Sequence, residues 1–438
     1  MKPVPASLQF PVSRQDVKPP SRPPVRPWLH GLSPRFPALI FLLLLPISFS
    51  TYTGYMAAEF EKEWNIVSNG TLRDAVLNAT FLVESPFQRI IQINLSDGEA
   101  VRHGDEIRII YRSANLSTPK KITAVAVVET RYMPDLSSNP PLPNASIPGT
   151  TLTTYTTAMA AFARSHTAES SGQLEAAAVL TDWVHRNVEY DEDFWGDDAP
   201  AEEVYAGRRA VCVGYTHLLI SLARSLGIGT RYVSGYVFSG DGWQEHAWAE
   251  LDMGGQWVPS DPTFRELGNL DARRIAGTYS LDQSGAADRL TARGGPFSFD
   301  TVARIRILQS GPFPPVSSAY AAFDGTEFSV VISNPGANYL TPTYIITFPP
   351  YVHGEESGIL FLPPGGRKAL SYALNLDSLG SGTYSVPYLV STQGTEISDS
   401  ITVSRSQPPV SGSPGSAACP VAAVLVSTFL LVVAKSRK

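Results

Sequence analysis

The sequence predicts a mixed fold, in which helices and a β-hairpin form a core between two β-rich regions. Three observations lead to this prediction. Leucine and alanine recur at helical spacing in residues 218–226, two short strands flank a glycine turn in residues 246–261, and apolar residues alternate with polar ones in residues 71–130 and 316–403. We divide the 438 residues into eight segments.

The N-terminal segments are a tail and an apolar stretch. Residues 1–36 are predicted to be a disordered, basic, proline-rich cytoplasmic tail, because they contain six basic residues and one acidic residue. Residues 37–58 are predicted to be a transmembrane signal anchor, since residues 38–58 are long and apolar enough to span a membrane. A cleaved signal peptide with its apolar region at residues 38–49 is the alternative.

The C-terminal segments mirror this arrangement. We predict a Ser/Pro/Gly linker at residues 405–416, a transmembrane helix at residues 417–434 and a basic cytoplasmic tail at residues 435–438. Basic residues flank both spans on the side away from the middle of the chain, so the positive-inside rule places the central domains outside the cell membrane. The same C-terminal pattern also resembles a cell-surface sorting signal.

Charge excludes one class of partner for the central domains. The formal net charge of the chain is −6, and the two tails carry +5 and +3, which leaves −14 on the remaining residues. A strongly negative domain repels phosphate backbones, so we predict no nucleic-acid partner.

Three domains are predicted between the spans. Residues 59–149 form a β-rich extracytoplasmic region, and residues 150–310 form a catalytic domain. Residues 311–404 contain short strands separated by turn residues, a spacing typical of an Ig-like β-sandwich.

Cys212 is the candidate nucleophile of the catalytic domain. The helical pattern behind it and a glycine at position 227, suited to a helix C-terminus, predict a helix that begins at Cys212. The positive end of the helix dipole and the unpaired backbone N–H groups at that position favour a thiolate.

His246 and Asp261 lie on the two strands of the predicted hairpin. A turn at Met253-Gly254 would place His246 directly opposite Asp261, whereas a turn at Gly254-Gly255 would pair Asp261 with Trp248 and leave His246 one diagonal step away. Either register brings the carboxylate within reach of the imidazole. We therefore predict a Cys212, His246 and Asp261 triad, in which Asp261 fixes the histidine tautomer.

Two other histidines are candidates for the base. His217 lies five helical residues from Cys212 and is turned away from its face, so we predict a packing role for it. His185 is predicted to be structural or solvated.

Three blocks of this region resemble the transglutaminase-like superfamily of papain-type fold, in its membrane-anchored prokaryotic or archaeal form. They are WVHRNVEYD (residues 183–191), RRAVCVGYTHLLISLARSLGIGTRYVSGYV (208–237), and HAWAEL with WVPSDPT (246–263). The resemblance covers roughly residues 150–305 and implies an α+β papain-like core.

The resemblance also implies a chemistry. Cys212 would attack an amide of a surface protein or wall peptide, with His246 moving the proton and Asp261 orienting it, to form an acyl-enzyme thioester. A primary amine would resolve the thioester by transamidation, and water would make the enzyme a peptidase, isopeptidase or amidase. A non-catalytic surface scaffold is the third interpretation.

The cofactor prediction is negative. The animal cross-linking enzymes that the chain resembles have calcium sites, and an acidic run occupies residues 191–198 here, but it lacks the glycine-centred spacing of a calcium loop. We expect no cofactor, with calcium as the alternative.

Overall fold

A computed structural model describes residues 52–132, 135–240, 242–377 and 379–405. The first strands are β1 (Thr53–Ser68), β2 (Leu72–Val83), β3 (Gln88–Leu95), β4 (Glu99–His103), β5 (Glu106–Leu116) and β6 (Lys120–Arg131). The middle elements are α1 (Thr157–His166), α2 (Gln173–Asn187), β7 (Glu189–Tyr190), α3 (Ala201–Gly207), β8 (Arg209–Ala210), α4 (Cys212–Ser225), β9 (Gly229–Phe238), β10 (Trp243–Asp252), β11 (Trp257–Asp261), β12 (Glu266–Leu267) and β13 (Arg274–Ser280). The last strands are β14 (Arg289–Arg293), β15 (Phe297–Pro312), β16 (Ser318–Phe323), β17 (Glu327–Ser333), β18 (Thr343–Thr347), β19 (Glu355–Ile359), β20 (Arg367–Ala373), β21 (Gly382–Thr392) and β22 (Thr395–Arg405).

The N-terminal strands form two antiparallel sheets that share one core. The strand orders are β15-β1-β6-β3 and β14-β2-β5-β4. Buried and less buried residues alternate along β1 and β6, as expected for strands with one face on a core. Phe60, Trp64 and Phe81 are among the largest side chains enclosed between the sheets.

The sandwich changes two predicted boundaries. Residues 53–58, predicted as the end of a transmembrane segment, belong to β1 and pair with β6 and β15. Most of residues 289–310, predicted within the catalytic domain, belong to β14 and β15 and pair with β2 and β1. These pairings join residues far apart in sequence, so local patterns do not reveal them.

The remaining parts of the predicted spans, residues 37–51 and 417–434, lie outside the described residues, as do residues 406–416 and both tails. Among the residues that the structure describes, no helix is long and apolar enough to cross a membrane.

The central part of the chain packs helices against a five-stranded antiparallel sheet of order β12-β11-β10-β9-β13. Helix α4 is buried along nearly its whole length and lies at the centre of this core. It ends at Gly227, whose φ of +84° is the left-handed conformation that glycine adopts readily. The N–H groups of Gly227 and Ile228 donate to Arg224 and Ala223 carbonyls, which completes a Schellman motif.

The C-terminal strands form a seven-stranded arrangement of two antiparallel sheets, β16-β17-β20 and β19-β18-β21-β22, around a shared apolar core. A two-sheet module was predicted here, and its Ig-like classification stays a prediction. The module contacts the short strand β12, since the hydroxyls of Thr343 and Thr341 donate to the carbonyls of Arg265 and Leu267.

Candidate active site

Cys212 is the first residue of α4, as the sequence predicts. Its side chain is buried, and Val211 is the N-cap residue without a side-chain capping bond. The first backbone N–H groups of a helix have no partner within the helix, so they are available to an anion beside the thiol. Cys212 therefore sits where both a thiolate and an oxyanion would be stabilised.

The hairpin adopts the second of the two predicted registers. Ala249 pairs with Ser260 and Asp252 with Trp257, so the turn is centred on Gly254 and Gly255. Both glycines have positive φ, +73° and +95°, which a two-residue turn of the I′ type requires at its two central positions. The turn chemistry thus decides the register.

In this register His246 still reaches Asp261. Its Nε2–H donates to Asp261 Oδ2 at 2.8 Å, and both side chains are buried. The other carboxylate oxygen, Oδ1, accepts the backbone N–H groups of Thr263 at 3.0 Å and Phe264 at 3.3 Å. The carboxylate is therefore held from two sides and fixes the imidazole ring.

The Cys212 side chain interacts with the His246 imidazole and contributes to its electrostatics. Because Nε2 is committed to Asp261, Nδ1 is the nitrogen left to face the thiol. Burial alone would lower the pKa of His246, but the charge of Asp261 and the hydrogen bonds to Asp261 and Cys212 outweigh it and raise the pKa to about 9. At neutral pH this raised pKa favours the imidazolium form of His246.

The sequence of this domain also matches a known family. A sequence model described as the transglutaminase-like superfamily matches residues 160–262, which include all three predicted site residues. Residues 160–262 are thus similar to the transglutaminase-like superfamily.

Solved structures similar to the chain include transglutaminases. A candidate cysteine protease from Cytophaga hutchinsonii is 19% identical, with a TM-score of 0.44, covering 60% of this chain and 94% of that one. Red sea bream transglutaminase is 12% identical, with a TM-score of 0.21, covering 77% of this chain and 78% of that one. No curated protein matches the chain.

The other histidines of the transglutaminase-like domain have structural partners. His217 is fully buried, with Nδ1 3.0 Å from the Ala199 carbonyl oxygen, while its Nε2 accepts the backbone N–H of Gln283 at 3.3 Å. His185 Nδ1 lies 3.2 Å from the carbonyl oxygens of Pro262 and Thr263. Burial lowers the pKa of both rings, which favours their neutral forms.

The acidic run before the nucleophile is engaged in protein contacts. Asp191 forms an ion pair with Arg209 and accepts the backbone N–H of Asp193 at the start of a short 3₁₀ turn. Within residues 52–405, as far as they are described, no group of three or more His, Cys, Asp or Glu side chains could hold a metal ion.

Sequence reasoning missed two charged residues behind Asp261. Arg274 on β13 donates from Nη2 and Nε to Asp261 Oδ2 at 2.9 and 3.3 Å, and Glu266 on β12 lies 2.6 Å from the same Nη2. Neither residue stands in a recognisable motif. Glu266 is brought to Asp261 by the pairing of β12 with β11, whereas the Arg274 side chain reaches Asp261 although β13 lies at the opposite edge of the sheet. Burial would raise the pKa of Asp261, but His246 and Arg274 hold it well below its usual range.

A pH dependence follows from the raised pKa of His246. The imidazolium is present below pH 9 and is lost as pH rises through about 9. The anion iodoacetate is attracted by the imidazolium beside the thiolate, so its rate of reaction with Cys212 should fall through the same pH range. The measurement is the alkylation rate from pH 6 to 10 in a Cys419→Ser background, which leaves Cys212 as the one thiol of the chain. A rate that only rises with pH, as for an isolated thiol, would contradict an imidazolium at His246 with this raised pKa.

Proposed function

We propose that the chain is a cysteine enzyme that acts on amide bonds of surface proteins or wall peptides through an acyl-enzyme thioester. The observation that supports this most strongly is the arrangement of Cys212, His246 and Asp261, in which His246 is hydrogen-bonded to the buried Asp261 and interacts with Cys212. A purely structural core gains nothing from a buried imidazole–carboxylate pair next to a thiol, because burying charges costs free energy.

The first half-reaction uses these groups in order. The Cys212 thiolate attacks the carbonyl carbon of the amide, and the electron pair moves onto the carbonyl oxygen beside the first N–H groups of α4. The tetrahedral intermediate collapses, the C–N bond breaks, and His246 donates its proton to the leaving nitrogen. Ammonia or an amine departs and the acyl group stays on sulfur as a thioester.

The second half-reaction returns the enzyme to its starting state. A primary amine or water attacks the thioester carbon, and His246 takes the proton of the nucleophile while sulfur leaves as the thiolate. Asp261 stabilises the imidazolium each time it forms. Because both acceptors use the same groups, the identity of the acceptor is a matter for experiment.

Mass spectrometry of the full chain with a glutamine-containing peptide and a primary amine is the test. Replacement of the glutamine ammonia by the amine means transamidation, while deamidation or peptide cleavage means hydrolysis. We expect one of these products from the wild-type chain. The absence of all of them with a broad set of amide peptides would favour the scaffold interpretation.

We also propose that the enzyme works outside the cell, attached to a membrane, on the grounds of its apolar terminal segments. Strand β1 begins at Thr53, so residues 38–52 are fewer than the about 20 that a helical span needs. This length suits the signal-peptide alternative at the N-terminus better, with residues 417–434 as the anchor. Digestion by a protease added to intact cells should degrade the central domains, and protection of those domains would overturn the orientation.

A further inference from the structure

Asp261 is shared between two cations. His246 Nε2 and Arg274 Nη2 donate to the same oxygen, Oδ2, at 2.8 and 2.9 Å. Arg274 also donates from Nη1 to the Asp271 carbonyl oxygen at 3.1 Å, and its guanidinium lies 5.2 Å from the ring of Phe264. The guanidinium is buried and fixed by several contacts, so it holds the carboxylate in one position.

The positive charge of Arg274 disfavours the imidazolium form of His246, because both cations share the Asp261 carboxylate. Glu266 offsets this effect. Its Oε2 lies 2.6 Å from Arg274 Nη2, and β12 pairs Glu266 directly with Asp261. Among the described residues Glu266 Oε2 accepts no well-aligned hydrogen bond, so the contact is mainly one of charge.

We propose that Arg274 and Glu266 are positioning residues of the active site: Arg274 fixes the Asp261 carboxylate, and the charge of Glu266 controls how strongly Asp261 stabilises the His246 imidazolium. The inference rests on the proposed function, since it concerns the same site. When Glu266 is ionised, its negative charge compensates the positive charge of Arg274, and Asp261 stabilises the His246 imidazolium more strongly. When Glu266 is neutral, the uncompensated charge of Arg274 weakens this stabilisation of the imidazolium.

Glu266 titrates in a range where this control would operate. The groups that face it are Arg274 from β13, Asp261 from β11, Asp271 from the loop between β12 and β13, and Tyr52 just before β1. Burial raises the pKa of Glu266 to about 8, against the opposing charge of Arg274 and with the help of the two aspartates. The ionised form therefore grows in as pH rises through about 8, just below the pKa of His246.

The test is the iodoacetate profile of Cys212 in the full chain, in the Cys419→Ser background, for Glu266→Gln. This variant leaves Arg274 uncompensated, so the fall in rate should move to lower pH by about one unit, as expected for one charge acting across a buried site. At the wild-type midpoint the rate should drop roughly tenfold relative to its plateau.

The matched control is Glu250→Gln. Glu250 is buried on β10 and pairs with Arg231 at 2.5 Å, yet neither residue contacts Asp261 or His246. Its profile should coincide with that of the wild-type chain. A Glu266→Gln profile that also coincides, or an equal shift in both variants, would overturn the proposal.

Arg274→Lys keeps the positive charge but changes how the Asp261 carboxylate is held. It provides a second test if Glu266→Gln does not fold. One ammonium replaces the two-point contact of Nε and Nη2, so amide turnover should fall about tenfold while the alkylation profile stays near that of the wild-type chain. Unchanged turnover would remove Arg274 from the positioning role. The alkylation profiles need no amide substrate, so they test the proposal even if the proposed reaction fails.

Discussion

Cys212→Ala should abolish turnover of the amide substrate, with a loss of about 10⁶-fold, to the level of the uncatalysed reaction plus binding effects. Among the described residues Cys212 is the free cysteine, and it is the one that interacts with His246. The measurement is the initial rate of product formation by mass spectrometry, with circular dichroism to verify the fold.

The control for this variant is Cys419→Ser. It removes the second cysteine of the sequence and should leave the rate unchanged. Residual activity in Cys212→Ala above about one part in a thousand would mean that the nucleophile is elsewhere.

Asp261→Asn should lower kcat by about 10⁴-fold. Four donors surround the wild-type carboxylate: His246, Arg274 and the backbone N–H groups of Thr263 and Phe264. An asparagine has one acceptor oxygen, so its NH₂ group must face donors on one side. If it faces His246, the imidazole takes the wrong tautomer and Nδ1 can no longer accept the thiol proton.

Asp252→Asn, at a half-buried position on the same hairpin, is the control for this variant. Asp252 Oδ1 accepts the backbone N–H of Gly255 in the turn and has no contact with the site. Its kcat should stay within a factor of two of that of the wild-type chain. If Asp261→Asn retains comparable activity, Asp261 is not part of the catalytic machinery.

Local chemistry accounts for the parts of the site that could be predicted. The helix start at Cys212 follows from apolar spacing and from Gly227, and the hairpin follows from alternation around two glycines. The sequence left two registers open, because choosing between them depends on which residues adopt positive φ. In both cases the determinants lie within a few residues of the feature that they specify.

Long-range pairing accounts for what could not be predicted. β15 returns to β1 across more than two hundred residues, and β13 brings Arg274 to Asp261 from the far edge of the sheet. The C-terminal module, in turn, holds the segment around Glu266 through hydroxyl donors at Thr341 and Thr343. Such contacts depend on the assembled sheets and have no local sequence signature.

The acyl-enzyme itself provides the most direct test of the central claim. The full chain is mixed with a glutamine-containing peptide, quenched in acid, and its intact mass is measured. We predict an adduct of the peptide mass less ammonia, located on the fragment that contains Cys212, released by added amine and missing in Cys212→Ala. Product formation without such an adduct, or an adduct on another residue, would contradict a thioester mechanism at Cys212.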